Sequence, residues 1–242
     1  NSATELRAKA VRRLVLDEVD GYPAAVDGEG DPCALAKKRT STFSNRKVLT
    51  FSTPTIKGSS RIEAEYEGTP EQQLSGFSPT DQRRYFVPCP RCGAMQTLEW
   101  ENVRWSELGR PPHRAAYVCP HCKGTVENHE KTWMLANGEW RATATSSNPK
   151  VTGYAISGLY RPHGWRSWGD IASDWTKAKR TRDSSLLRVL VNTDLGQTWD
   201  VTDGQSADPG TLLGRVEPEY TTGCPAGVLV VPTLPPQPGI LG

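Results

Sequence analysis

The chain has 242 residues, 36% hydrophobic and 23% charged, a composition that can bury a core and excludes disorder throughout. Its formal charge of +2, from 29 basic and 27 acidic residues, is too close to neutral to point to nucleic acid by itself. No apolar run approaches a membrane span and the first residues are polar rather than signal-like, so no membrane association is expected.

In chain order, residues 11–16 (VRRLVL) read as a short buried strand running into Asp17 and Glu18. Asp31 suits an N-cap and Pro32 a first helical turn, which predicts a helix over 32–41. Residues 47–52 (KVLTFS) read as a second buried strand, stopped by Pro54. Strand, helix and strand in this order make a βαβ unit and imply a parallel sheet. A short capped helix is expected over 59–68, then an exposed loop rich in Gly, Pro and Ser up to residue 82. The composition changes at Arg83. Residues 83–100 and 115–127 each read as strand, cysteine knuckle, strand, and 128–138 as a helix ending at Gly138, with one more strand in EWRATA. Further on, Ser167 caps a helix with apolar residues at Trp168, Ile171, Ala172 and Trp175. SSLLRVLVNTDLG is a second helix closed by Gly196, and the final VPTLPPQPGILG is too rich in Pro and Gly to form a packed element.

The most specific motif is Cys89, Cys92, Cys119 and Cys122, spaced Cys-x2-Cys-x26-Cys-x2-Cys. Four thiolates complete a closed tetrahedral shell around Zn²⁺, which marks a structural rather than a catalytic ion. A redox dithiol uses one pair at a helix start, whereas here two pairs each follow a strand. Cysteine pairs without a secretory signal also point to a reducing, cytoplasmic setting. His113, His121 and His129 lie nearby but a closed shell does not need them, and they read as solvent-exposed polar residues. The ribbon's role stays open between binding DNA, binding a protein and only stabilising an insertion, the last needing no further assumption.

Asp17 and Glu18 would sit at the carboxyl edge of the sheet, where α/β proteins bind ligands. An acid there can hold the Mg²⁺ of a nucleotide, and a following glutamate can polarise the attacking water. Apolar residues followed by two acids are also what any strand shows on entering a polar turn. Ser52, Thr53 and Pro54 end the neighbouring strand 35 residues after Asp17, where hydroxyls could sense a γ-phosphate or its bound water. The two motifs on one βαβ unit favour the nucleotide reading. Arg161, Arg166, Lys177, Lys179, Arg180 and Arg182 could track phosphates, but the solvated face of a helix is the simpler reading.

Several blocks in order, NSATELRAKAVRRLVLDEVDGYP, GEGDPCALAKKRTSTF, STPTIKGSSRIEAEYE, DQRRYFVPCPRCG and VLVNTDLGQTW, resemble the large terminase subunit of lambda-type tailed phages and prophages, from about Asn1 to Val231. That family comprises DNA-packaging motors with an N-terminal ATPase and a C-terminal metal-dependent nuclease. The resemblance implies that Asp17 is the Mg²⁺-ligating acid of the Walker B motif, that Glu18 is the catalytic carboxylate, and that Ser52, Thr53 and Pro54 form the motif coupling hydrolysis to DNA movement. It further implies ATP as the fuel, double-stranded viral DNA, the small subunit and the portal or procapsid as partners, a homo-oligomeric motor, and a place in the host cytoplasm. The tetracysteine segment matches a cysteine-rich region of this branch.

The chain departs from the family pattern twice. No Gly-x4-Gly-Lys-[Ser/Thr] and no Gly-Lys dipeptide occur in it, so nothing cradles the β- and γ-phosphates. No Asp or Glu follows Glu219, so no carboxylate nuclease centre can be built after GVLVV. The expected fold is therefore α/β: part of a P-loop-type parallel sheet, the Walker B half, with an inserted four-cysteine zinc ribbon and a helical linker region. Residues 1–82 would be the second half of the ATPase core and 83–145 the zinc-ribbon segment. Residues 146–225 would be the helical linker, and 226–242 a tail standing where the nuclease would begin. Such an internal fragment should not turn over ATP alone, and its bare sheet edge predicts poor solubility. The competing readings are a non-catalytic zinc-ribbon module that binds DNA or protein, and an inert truncated product.

Overall fold

Arg13–Asp17 forms strand β1 and Lys47–Phe51 forms strand β2, paired in parallel from Arg13 opposite Lys47 to Asp17 opposite Phe51. They belong to a computed structural model in which residues 10–62, 80–146 and 148–201 are described. Helix α1, Pro32–Lys38, makes the crossover. It starts where expected: the Asp31 carboxylate accepts the Ala34 N–H at 2.9 Å, and Pro32 occupies the first turn. It stops short of Ser41 because the Thr40 and Ser41 hydroxyls donate back to the carbonyls of Lys37 and Lys38, at 2.8 and 2.7 Å. Leu16, Val19, Cys33 and Ala36 bury against one another, with Leu14, Tyr22 and Ile62 around them.

The expectation that both strands are buried needs correction. Side chains alternate along a strand, and α1 packs on one face alone. The other face carries Val15, 60% exposed, directly opposite Leu49, 57% exposed, with Phe51 beside them. Residues 59–62 are also not the start of a helix. They form a turn in which the Ser59 and Ser60 N–H groups both donate to the Ile56 carbonyl. The remainder of that expected helix, and the loop up to residue 79, lie outside the described residues.

The cysteine region folds as strand, knuckle, strand, twice. Strand β3, Arg83–Pro88, pairs antiparallel with β4, Met95–Gln96, across the first cysteine pair. After β5, Val103–Arg104, strands β6, Ala116–Val118, and β7, Thr125–Val126, pair across the second. β6 lies between β5 and β7 in a three-stranded sheet. Helix α2, Lys131–Ala136, follows a 3₁₀ turn closed by a reciprocal Glu127–Glu130 capping box, then β8, Glu139–Arg141, runs back antiparallel to β3. β9, Tyr154–Ala155, adds to β3 in parallel.

Helix α3, Trp168–Thr181, begins at a Ser167–Asp170 capping box and ends on Arg182 in the left-handed conformation. Helix α4, Ser184–Val189, is capped by Asp183 and runs on into a π-helical turn, Leu190–Asp194, before Gly196 at φ +64°. α3 packs directly onto the cysteine region. Trp168 is fully buried beside Tyr117, and its Nε1–H donates to the Leu159 carbonyl at 3.0 Å. Gly169 approaches so closely that a Cβ there would lie 2.3 Å from the His113 carbonyl oxygen. One core thus takes Val87, Tyr117 and Val126 from the strands and Trp168, Ile171 and Ala172 from α3. The architecture is mixed α/β with parallel and antiparallel pairs. No helix among the described residues is long and apolar enough to cross a membrane.

Candidate active site and metal centre

Parallel pairing carries the ends of β1 and β2 to the same edge, so Asp17–Glu18 and Ser52–Thr53–Pro54 meet there. The Glu18 carboxylate accepts from the Ser52 hydroxyl and from the Thr53 N–H, both at 3.3 Å through Oε2. Glu18 itself holds φ 50° and ψ 49°. That left-handed conformation costs a non-glycine residue roughly 1–2 kcal/mol. It is held by the Gly21 N–H donating to the Glu18 carbonyl at 2.9 Å and by Val19, 1% exposed, anchored in the core. Asp17 is exposed, on the same face as Val15 and Leu49, and its carboxylate has no hydrogen-bond partner among the described residues.

Asp20 was not singled out by the sequence, yet it ties the two strand ends together. Its Oδ2 accepts from both the Thr55 N–H and the Thr55 hydroxyl at 3.1 Å, and its Oδ1 from the Arg61 N–H at 2.7 Å. Its own N–H donates to the Ser52 hydroxyl at 3.2 Å. The Arg61 side chain, nearly buried, continues the network to the α1 cap Asp31 and to the Pro23 carbonyl. Locally, Asp20 is one more acid in a turn before glycine, and nothing in the residues around it marks that role. Cys33 lies against Arg61, and burial, followed by the neighbouring Asp31, pushes its thiol upward. Cys224 lies outside the described residues.

The four motif cysteines converge. Their sulfurs lie within 4.8 Å of one another, with Cys89–Cys122 at 3.9 Å and Cys92–Cys119 at 4.0 Å, and none is in a disulfide. Four thiolates about 2.3 Å from one tetrahedral ion stand about 3.8 Å apart, so this donor set fits a single metal ion. The two knuckles repeat one hydrogen-bond pattern. Cys89 and Cys119 donate their N–H to the carbonyls of Ala94 and Gly124, and accept at their own carbonyls from Gly93 and Lys123. Gly93 and Lys123 both take positive φ, 72° and 59°, to turn the chain. Backbone N–H groups of Arg91 and Gly124 point at the sulfurs of Cys89 and Cys122, each at 3.4 Å, which favours thiolate. Cys89 and Cys119 are buried in the shared core while Cys92 and Cys122 face solvent. Arg91 braces the first knuckle with a bidentate pair to Glu130, at 2.7 and 2.8 Å. His113, His121 and His129 are exposed and outside the sulfur cluster, as expected.

Comparison with known proteins gives two successive matches, and both the strand-edge cluster and the cysteine centre lie within the first. Residues 1–140 match the family model of the phage terminase large subunit gpA, ATPase domain. Residues 151–233 match that of the terminase large subunit gpA, endonuclease domain, so most of the helical region read as a linker, from residue 151 on, falls within the second match. The chain is 28% identical over 251 residues to the terminase large subunit of Enterobacteria phage P21, covering 94% of this chain and 36% of that protein. It is 25% identical over 237 residues to the terminase large subunit of Escherichia phage lambda, covering 89% of this chain and 34% of that protein. The chain therefore spans about a third of the length of these relatives. No solved structure matches. With more than half of its residues matched by the ATPase-domain model and the blocks quoted above in their family order, the chain belongs to the phage terminase large subunit gpA family.

Proposed function

We propose that this chain carries the Walker B half of a P-loop-type nucleotide site from a motor that cuts viral DNA and packages it into a capsid. The observation that supports the reading best is the Glu18 carboxylate bonded to Ser52 and to the Thr53 N–H across two parallel strand ends. In this reading Asp17 would hold the Mg²⁺ of ATP, which would supply charge neutralisation at the phosphates. Glu18 takes up the proton of the attacking water and orients it. A carboxylate that leaves Ser52 and Thr53 to engage water releases the segment through Pro54, and so turns a change at the nucleotide into a movement of the second strand's end. Thr55, clamped by Asp20, stays behind as the pivot.

The cysteine cluster is a structural Zn²⁺ site. Its shell is closed by four protein ligands and half of it is built into the core, so it holds the β3–β7 region together rather than meeting substrate. The small subunit, the portal or procapsid, double-stranded viral DNA and further copies of the large subunit are the partners this reading assigns to the parent protein, acting in the host cytoplasm.

No phosphate loop occurs in these 242 residues, so the purified chain should show no sustained ATP turnover. In a full-length subunit carrying this segment, Glu18→Gln should leave ATP binding and KM nearly unchanged and lower kcat by about a hundredfold or more, the usual range for a lost general base. Unchanged kcat in that variant would remove Glu18 from the chemistry and sink the assignment.

A further inference from the structure

The structure divides the basic residues of the third region into two groups. Arg161 and Arg166 both pair with Asp194, only 5% exposed in its side chain, and Arg166 reaches Asp174 as well, at 2.7 Å. These two guanidinium groups hold the π-helical turn in place. Lys177, Lys179, Arg180 and Arg182 are different: all four are exposed, and none pairs with a carboxylate among the described residues. Arg188, on α4, joins them under the same conditions.

Their placement is one-sided. Ala178 is fully buried against the core. At about 100° per residue, Lys177 and Lys179 flank it on either side and Arg180 points away from it, so all three occupy the outer half of α3. Arg182 ends the helix, and Asp183 turns the chain into α4. Asp183 is the only acid between residues 175 and 193, and its carboxylate is already occupied by capping the Leu186 N–H at 3.0 Å. Lys179 is further supported by Trp175, its Nζ 5.4 Å from the ring, and Trp175 packs on Trp100 at 5.2 Å and Trp100 on Trp105 at 5.9 Å. Cations in the last turn of a helix complement its dipole. Five in so short a span repel one another and create a local positive field in a chain that is otherwise nearly neutral.

We propose that the outer face of the last turns of α3, continued by α4, binds the phosphate backbone of duplex DNA. The choice of polyanion rests on the packaging-motor reading; the surface itself does not. Duplex DNA presents about one charge per 1.7 Å of axis, so closely spaced cations can each neutralise a phosphate and release counterions. Because these contacts carry no base readout, binding is independent of sequence, as movement along DNA requires.

The test is fluorescence anisotropy of a labelled duplex of mixed sequence with the zinc-loaded 1–242 chain, without nucleotide, over about 0.05 to 0.3 M salt. The triple variant Lys177→Gln, Lys179→Gln, Arg180→Gln should bind on the order of a hundredfold more weakly near 0.1 M salt. Its slope of log K against log salt should fall by about 3. Arg180→Gln alone should lower the slope by about 1. A charge-matched control, Lys38→Gln, Arg46→Gln, Lys47→Gln on the βαβ unit, should change the slope little; circular dichroism melts confirm that each variant folds. Equal losses in both triples, or no salt-dependent binding by the unsubstituted chain, would overturn the proposal. Binding of poly-glutamate but not of the duplex would reassign the surface to an acidic protein partner. This binding is measured without nucleotide and the Glu18→Gln test reads ATP turnover, so failure here and failure of the nucleotide reading are separable.

Discussion

Glu18 combines a left-handed backbone with a carboxylate bonded to the opposing strand end, and Asp20 next to it makes the contacts that keep those ends together. A different kind of residue-scale tension sits at Lys131. Its side chain is fully buried, its Nζ has no hydrogen-bond partner, and it rests 4.7 Å over the Trp168 ring. Burial, followed by repulsion from Arg161, lowers its pKa to about 8, while Asp170 acts in the opposite direction. An unfolded lysine titrates near 10.4. Between those values the unfolded chain binds more protons, so this group's contribution makes stability rise with pH, by roughly 2–3 kcal/mol from pH 8 to about 10.4. Above about 10 the gain is opposed by Tyr117, whose hydroxyl burial pushes up to about 12. Lys131→Met should be at least as stable as the parent below pH 8 and should lack the rise between pH 8 and 10 in urea unfolding of the metal-loaded chain. A parallel pH dependence in both proteins would show that the buried amine is not its source.

At the scale of elements, the cysteine region and α3 stabilise one another. Two of the four clustered cysteines, Cys89 and Cys119, belong to the same core as Trp168 and Ile171, and Gly169 lets α3 sit against the His113 carbonyl. Loss of the proposed ion should therefore reach beyond the knuckles. On the proposed Zn²⁺ site, the parent chain should bind one zinc, and Cys119→Ser should lower that toward zero and broaden and lower the thermal transition of the segment holding α3 as well as β3–β7. The check is metal analysis together with hydrogen exchange at the amides of Ile171 and Ala172. Protection there that is unchanged after complete metal loss would show that the core stands without the ion. β1 and β2 rest on a separate, smaller cluster around Leu16, Val19, Cys33 and Ala36, and Asp20 ties their ends together.

At the scale of the whole molecule, the most exposed apolar surface on β1 and β2 is the face formed by Val15, Leu49 and Phe51, on which Asp17 also lies. An open two-stranded parallel pair with one apolar face bare is an association hazard. Val15→Thr with Leu49→Thr should reduce concentration-dependent light scattering of the chain while costing little stability, because neither side chain packs in the core of the described residues. Scattering that persists at the same protein concentrations would place the sticky surface elsewhere, for example at exposed Trp165.

Much of this was legible from local pattern. The cysteine spacing, the Asp31–Pro32 and Ser167 helix starts, and the two strand–knuckle–strand units rest on short-range chemistry, turns, caps and ligand spacing, that acts within a few residues. The pairing of Glu18 with Ser52 and Thr53 was legible one step further out, because a βαβ unit obliges parallel strands to present their ends together. What the sequence could not decide were matters of which surfaces meet. Burial of β1 and β2 depends on what covers each face, not on their apolar residues. Asp20 became a clamp only because Thr55 and Arg61 arrive beside it from 35 and 41 residues away. The six basic residues of the third region looked alike until folding brought Asp194 to Arg161 and Arg166 and left Lys177, Lys179, Arg180 and Arg182 facing water. An ion pair or a packed face is a property of two distant segments at once, so it exists only when the chain has folded.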